Sequence, residues 1–281
     1  MKELIDELKQ LKLAIFDLDG VVYRGDELIR NADKVIQELQ NQSIKVVFNS
    51  NNSTITRQKY VEKLKIFNIQ TELSNIYTSA SITSVEIAKI KKNANVFVIG
   101  EIGLRQELEA LGHKIVVEPD NFGNIDFVIV GLDRNFNYNS LEIAQKCILE
   151  GKAKFYATNA DSTLPVANGL KPGAGVIVKA LEVCTGQKPI KIFGKPEPFG
   201  IQLILKDFKT KPKIACIFGD RLNTDILAGN RAEITTIAVL TGVTSKEDIK
   251  KTQEEAEESN LIDKNLIPNI VINSLEEIFK N

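Results

Sequence analysis

Acidic residues recur in pairs at two places where an apolar run stops. Leu13–Phe16 is followed by Asp17-Leu18-Asp19-Gly20, and Ile214–Phe218 by Gly219-Asp220-Arg221-Leu222-Asn223-Thr224-Asp225. Two further runs end in other polar groups: Lys45–Phe48 in Asn49-Ser50-Asn51-Asn52-Ser53-Thr54, and Lys191–Phe193 in Gly194-Lys195-Pro196-Glu197-Pro198. Singly, each block reads as a turn or a helix start, because Asp, Asn and Gly suit turn backbones and Asp favours helix N-termini. Together they match one task. Clustered carboxylates repel one another unless a hard cation sits among them, and Mg²⁺ prefers oxygen ligands. A lysine brings a point charge to phosphate oxygens, while a serine hydroxyl and backbone amides hold others. A carboxylate can attack phosphorus and form an aspartyl-phosphate. The expected chemistry is metal-assisted phosphoryl transfer.

Such a set works only if strands deliver it to one place. The four runs above, with Val96–Ile99, Phe127–Val130, Thr236–Leu240 and Ile270–Ile272, are short and rich in β-branched or aromatic residues, as buried strands are. Helical spacing fills Ala32–Gln40, Thr56–Phe67, Leu104–Leu111, Ser140–Leu149, Gly175–Thr185 and Phe199–Phe208, with Thr56 placed as an N-cap and Pro198 at a helix start. Strand–helix alternation with short connections predicts an α/β fold on a mostly parallel sheet, whose ligands bind beyond the carboxyl ends of the strands. Residues 245–260 carry dense charge of both signs, expected of a solvated helix or a mobile surface segment. The role of Asn223 stays open.

The 281 residues suggest two domains at roughly 150 residues each. With 36 Lys+Arg against 37 Asp+Glu, the chain has no electrostatic footprint for nucleic acid. Its one histidine, His113, excludes multi-histidine metal centres and stands in a helix-to-strand connection, where a structural or exposed role is expected. Cys147, Cys184 and Cys216 are odd in number and widely spaced, which fits a reducing compartment. The amino terminus lacks a signal-type apolar block, and no apolar run nears the roughly 18 residues of a membrane helix. A cytoplasmic protein without membrane or nucleic-acid partners is expected. No Gly-x-Gly-x-x-Gly follows the first strand, and Pro196 rather than Ser or Thr follows Lys195, so dinucleotide and P-loop sites are excluded.

The four blocks resemble the four motifs of the haloacid dehalogenase superfamily, in that superfamily's order. ATNADSTLPVANGLKPGAG at 157–175, followed by GKPEP and GDRLNTDILAG, resembles the class IIA phosphatases, which include 4-nitrophenylphosphatases, phosphoglycolate phosphatases and pyridoxal phosphatase. VVYRGDELI and FNSNNST extend the likeness, which covers nearly the whole chain except 245–268. The resemblance implies Asp17 as nucleophile and Asp19 as acid, then base. It implies Ser50 and Asn51 on phosphate oxygens, Lys195 screening charge, and Mg²⁺ held by Asp17, the Asp19 carbonyl and Asp220, with Asp225 nearby. It further implies a Rossmann-like core of residues 1–79 and 188–281, interrupted by an α/β cap at 80–187 that has its own strands, Lys114–Val117 and Lys154–Ala157 among them. Cap readers of the leaving group would come from Asp133-Arg134-Asn135 and Asn159-Ala160-Asp161, and two copies would pair through their caps. The implied activity is hydrolysis of a small organic phosphomonoester. A phosphotransferase would share the core residues, as would a phosphometabolite-binding pseudoenzyme, although the presence of both Asp17 and Asp19 speaks against the latter.

Overall fold

The computed structural model describes residues 2–166, 169–258 and 263–280. Residues 167 and 168, in the 157–175 stretch, and 259–260, at the end of the charged stretch, lie outside them. The chain divides into two compact units: one holds the residues up to Ser50, Val61–Tyr77 and those from Lys195 onward, the other Asn51–Tyr60 and Thr78–Gly194. Among the described residues no helix is long and apolar enough to cross a membrane.

The first unit is built on a six-stranded sheet in the order Ile270–Ile272, Thr235–Val239, Ala215–Gly219, Leu13–Phe16, Lys45–Ser50, Ile76–Thr78. The pairings from Ile270–Ile272 through Lys45–Ser50 are parallel. Leu13–Phe16 is buried at every position, as a central strand covered on both faces must be. Its register brings Phe16 level with both Phe218 and Phe48. The Phe16 and Phe218 rings stack at 4.4 Å and the Phe48 ring lies 6.3 Å from Phe16, an aromatic floor near the carboxyl ends of the three strands. The next strand of this sheet in sequence, Lys45–Ser50, lies on one side of Leu13–Phe16 and Ala215–Gly219 on the other. In parallel sheets, ligands bind beyond the strand ends at such a reversal, here just beyond Phe16. Helix Ala32–Asn41 turns Ala32, Val35, Ile36 and Leu39 inward, the spacing of one buried helical face.

The second unit has its own parallel sheet of five strands, ordered Lys191–Ile192, Lys154–Ala157, Phe127–Val130, Asn95–Ile99, Lys114–Ile115. Val128, Val130, Phe155, Cys147, Ile177 and Leu181 pack in its core, which draws on helices Tyr138–Leu149 and Ala174–Thr185. This sheet corrects one expectation. Lys191–Ile192 pairs with Tyr156–Ala157 as an edge strand here, so the lysine block does not end a strand of the site-bearing sheet. A two-residue edge strand shows in the sequence only as an apolar run, and nothing in that run says which sheet receives it.

The helices arise much as their spacing predicts. Thr56 Oγ1 accepts from the Lys59 N–H at 3.3 Å, an N-cap bond for helix Arg57–Ile66. Helix Ser79–Ile90, which the apolar periodicity did not reveal, starts from a capping box between Thr78 and Ser81. The charged stretch forms helix Lys246–Glu258, opened by reciprocal bonds between Ser245 and Asp248.

His113 is buried, with Nδ1 accepting from the Ala94 N–H at 3.2 Å and Nε2 without a partner among the described residues. Burial holds the imidazole below its ordinary 6.5, because the charged imidazolium is desolvated there. Its stabilising contribution is therefore present above pH 6.5 and is lost as pH falls below that value, at no more than about 1.4 kcal/mol per pH unit for one proton. Urea unfolding at pH 7 and pH 5 is expected to show a steeper loss for the wild type than for His113→Asn, whose side-chain oxygen can replace Nδ1 as acceptor. Equal losses would contradict a neutral buried His113.

Candidate active site

Asp17 follows the aromatic floor directly, its N–H donating to Phe218 O at 2.9 Å. Its carboxylate meets Lys195, whose Nζ donates to Asp17 Oδ1 at 2.7 Å, to the Asn49 carbonyl at 2.8 Å and to Asp225 Oδ1 at 2.5 Å. Lys195 and Asp225 are almost wholly buried, and Asp17 keeps 13% of its side chain exposed. Asp225 stands on a π-helical turn, Leu222–Ile226, in which the Ile226 N–H reaches back to Arg221 O. Such turns recur at functional sites because the extra residue re-aims a side chain. A Cβ on Gly219 would lie 2.0 Å from the Asp225 Cβ, so only glycine fits at the strand end. Ile249, from the charged helix, packs with Ile226 and Ala238 behind this turn. Carboxylate oxygens of Asp17, Asp220 and Asp225 lie within 4.8 Å of one another.

The sequence profile of the haloacid dehalogenase-like hydrolases matches residues 14–114, and a second profile of the same kind matches residues 192–277. An acid sugar phosphatase of Staphylococcus haemolyticus is 36% identical over 248 residues, 88% of this chain and 92% of that protein. A 5'-nucleotidase of Bacillus subtilis is likewise 36% identical, over 88% of this chain and 94% of its own length. The chain belongs to the haloacid dehalogenase-like hydrolases. Among solved structures, a 4-nitrophenylphosphatase from Thermotoga maritima has a TM-score of 0.85 at 32% identity, covering 97% of each chain. A p-nitrophenyl phosphatase from Archaeoglobus fulgidus has a TM-score of 0.84 at 31% identity, over 95% of this chain and 98% of that one. The protein is a class IIA phosphatase of this family.

The electrostatics of this haloacid dehalogenase-like site follow from burial. Desolvation pushes the Asp17 carboxyl well above its usual range, with Asp225 and Asp220 adding to the rise and Lys195 opposing it. Asp220 is raised to about 6, first by burial and then by the charge of Asp225. Burial alone would depress Lys195, but Asp17 and Asp225 outweigh it and hold the ammonium charged. Solvent reaches Asp19, yet the protein around it desolvates its carboxyl and raises it, against the pull of Lys63, Arg221 and Lys195. Three carboxylates thus face one ammonium. Val243 N–H takes Asp220 Oδ2 at 2.8 Å and Thr224 Oγ1 takes Asp225 Oδ2 at 3.1 Å, which leaves Asp17 Oδ2 and Asp220 Oδ1 without a donor among the described residues. An all-oxygen, negatively charged donor set of this kind fits Mg²⁺.

Of the residues singled out in the sequence, the structure gathers Asp17, Lys195, Asp220 and Asp225, while the Asp19 carboxylate stands outside the three-carboxylate cluster. Ser50 is buried at the end of its strand. Asn51, Asn159 and Asp161 meet within the second unit. Asn51 Nδ2 donates to both Asp161 oxygens at 3.1 and 3.2 Å, and its carbonyl accepts from Asn159 Nδ2 at 2.8 Å and Ser79 Oγ at 2.5 Å. Asp133 Oδ1 caps its own turn through the Asn135 N–H, and Arg134 makes a two-pronged pair with Glu101. Asn223 is exposed on the π-helical turn.

Sequence reasoning missed a fifth strand-end block, Thr241-Gly242-Val243-Thr244, although it follows the strand Thr235–Val239 and the strand-end rule points to it. Thr244 N–H donates to Asp220 O, and Thr241 Oγ1 donates to Gly20 O at 2.7 Å. Gly20, at φ +86°, and Gly242 flank the Asp220 carboxylate so closely that a Cβ on either would lie 2.3 or 2.0 Å from Oδ2. Gly242→Ala is therefore expected to displace that carboxylate and cut turnover by about 100-fold, the scale of a 1 Å misplacement, with the thermal transition largely retained. Turnover like the wild type's would contradict this packing.

Proposed function

We propose that this phosphatase is a Mg²⁺-dependent phosphomonoesterase of small organic phosphates, working through an aspartyl-phosphate on Asp17. The observation that carries the reading is the Lys195 contact. With Lys195 Nζ fixed on Asp17 Oδ1, the lysine screens the negative charge that the nucleophilic carboxylate would share with an incoming phosphate. Attack forms the bond between Asp17 and phosphorus and breaks the bond to the leaving oxygen, to which Asp19 gives a proton. Asp19 then takes a proton from the water that splits the aspartyl-phosphate, so it serves as acid and base in turn, a use favoured by its raised pKa. Asp17 and Asp220, with the Asp19 carbonyl and with Asp225 nearby on Lys195, would hold Mg²⁺, which would supply positive charge against the phosphate dianion.

The names of the relatives, acid sugar phosphatase and 5'-nucleotidase, support a small phosphomonoester as substrate. By the same resemblance Ser50 and Asn51 bind phosphate oxygens, residues 80–187 act as the cap, and Asp133, Arg134, Asn159 and Asp161 read the leaving group. Pairing of two copies through the cap and a cytoplasmic location complete the reading. The three free cysteines suit a reducing compartment.

Acid quenching during turnover of a ³²P-labelled aryl phosphate distinguishes the two acidic roles. Asp17→Asn is expected to retain no label and to lose activity by at least about 1,000-fold, whereas Asp19→Asn retains label and releases it slowly. Undiminished turnover by Asp17→Asn, or equal label on both variants, overturns the proposal.

A further inference from the structure

A hairpin that the mechanism above leaves unused follows directly on Asp19 and Gly20. Tyr23–Arg24 pairs antiparallel with Glu27–Leu28 around the turn Gly25-Asp26, with Gly25 at φ +57°. A two-stranded ribbon is marginal on its own in water, so its position depends on what holds it. At its root, Gly20 N–H donates to Tyr23 O at 2.8 Å and a β-bridge links Asp19 with Tyr23. On one side, Arg24 Nη2 donates to Thr241 O at 2.5 Å, in the loop that also carries the bonds to Asp220.

At the tip, a single residue makes three contacts. Lys63, from helix Arg57–Ile66, donates from Nζ to Gly25 O at 2.7 Å, stands 4.0 Å from the centre of the Tyr23 ring, and lies 3.4 Å from Asp26 Oδ1. The Asp26 side chain is fully exposed, so that ion pair adds little. The carbonyl and the ring dominate, since Tyr23 is only 2% exposed and its ring also lies 5.8 Å from that of Phe67. The lysine thus ties the hairpin to a helix whose own place is set by packing, and the hairpin is the covalent continuation of Asp19.

We infer that Lys63 is a positioning residue for Asp19: by fastening the tip of the hairpin Tyr23–Leu28 it fixes the backbone between Asp19 and Tyr23, and with it the carboxyl that meets the leaving oxygen. The inference rests on the reading of Asp19 as the acid. It has a consequence that a general loss of structure does not share. A 4-nitrophenolate leaves readily as an anion, whereas phenolate is a far stronger base and depends more on receiving a proton. A misplaced acid therefore slows phenyl phosphate more than 4-nitrophenyl phosphate.

The test compares kcat/KM, which reports the step that expels the leaving group, on these two esters. Lys63→Met keeps an apolar stem along the Tyr23 ring and removes the ammonium. Its loss is expected to be about tenfold larger on phenyl phosphate than on 4-nitrophenyl phosphate, within the range a general acid contributes. Lys63→Arg, which keeps a donor and a cation, restores most of the difference. Asp19→Asn should show the same bias, and adding Lys63→Met to it should cost nothing further. Equal losses of Lys63→Met on both esters overturn the inference, as does a further loss on top of Asp19→Asn. If Asp19→Asn itself shows no bias, it is the reading of Asp19 as acid that fails. Should Lys63→Met unfold at the assay temperature, Lys63→Gln is measured in its place and judged by the same ratio.

Discussion

One buried ammonium shared by two carboxylates, with a third carboxylate close by, sets the terms for the first unit. Lys195 is buried to the point where an unpaired charge would cost several kcal/mol, and Asp17 and Asp225 are what keep it charged. The same pairing leaves an excess of negative charge. Asp220 completes a group of three acids against one base, its carboxyl raised by burial and then by the charge of Asp225. Under the proposed function a hard cation would relieve this repulsion, as a second lysine otherwise would.

Much of the surrounding structure exists to hold this arrangement against its own repulsion. The register of Leu13–Phe16 between its neighbours brings Asp17 level with the end of Ala215–Gly219. Gly219 lets the π-helical turn close on the strand, and Gly20 with Gly242 lets two backbones grip the Asp220 carboxylate. Thr241, Arg24 and Lys63 then tie the hairpin after Asp19 to the loop that grips Asp220 and to a neighbouring helix. Most of these are close approaches of backbone to a carboxylate or a cation.

The α/β class, the central strand and the residues Asp17, Lys195, Asp220 and Asp225 were legible in the sequence, because a short β-branched run followed at once by chemistry-bearing polar residues is a local pattern. What was not legible depends on contacts far apart in the chain. Lys191–Ile192 reads as a strand in either sheet, since an apolar run carries no label for its partner. Gly242 and Thr241 matter only because the parallel register brings them beside Asp220. Lys63 reads as one more charged residue on a polar helix until its ammonium is seen on Gly25. The pairing of Asn51 with Asp161 likewise spans 110 residues, and nothing in either neighbourhood announces it.

Completion of the carboxylate cluster by a cation, as proposed, is tested by the thermal shift that Mg²⁺ produces at two pH values. Asp220, raised from 3.8 to about 6, lowers the stability of the metal-free fold progressively as pH rises through that interval, and fully above it. A cation binds the ionised cluster, stabilises by mass action, and below about pH 6 must first displace a proton. A clear rise in melting temperature with Mg²⁺ is expected at pH 7.5, a smaller one at pH 5, and neither in Asp220→Asn. An equal shift at both pH values, or a shift that survives Asp220→Asn, would contradict it.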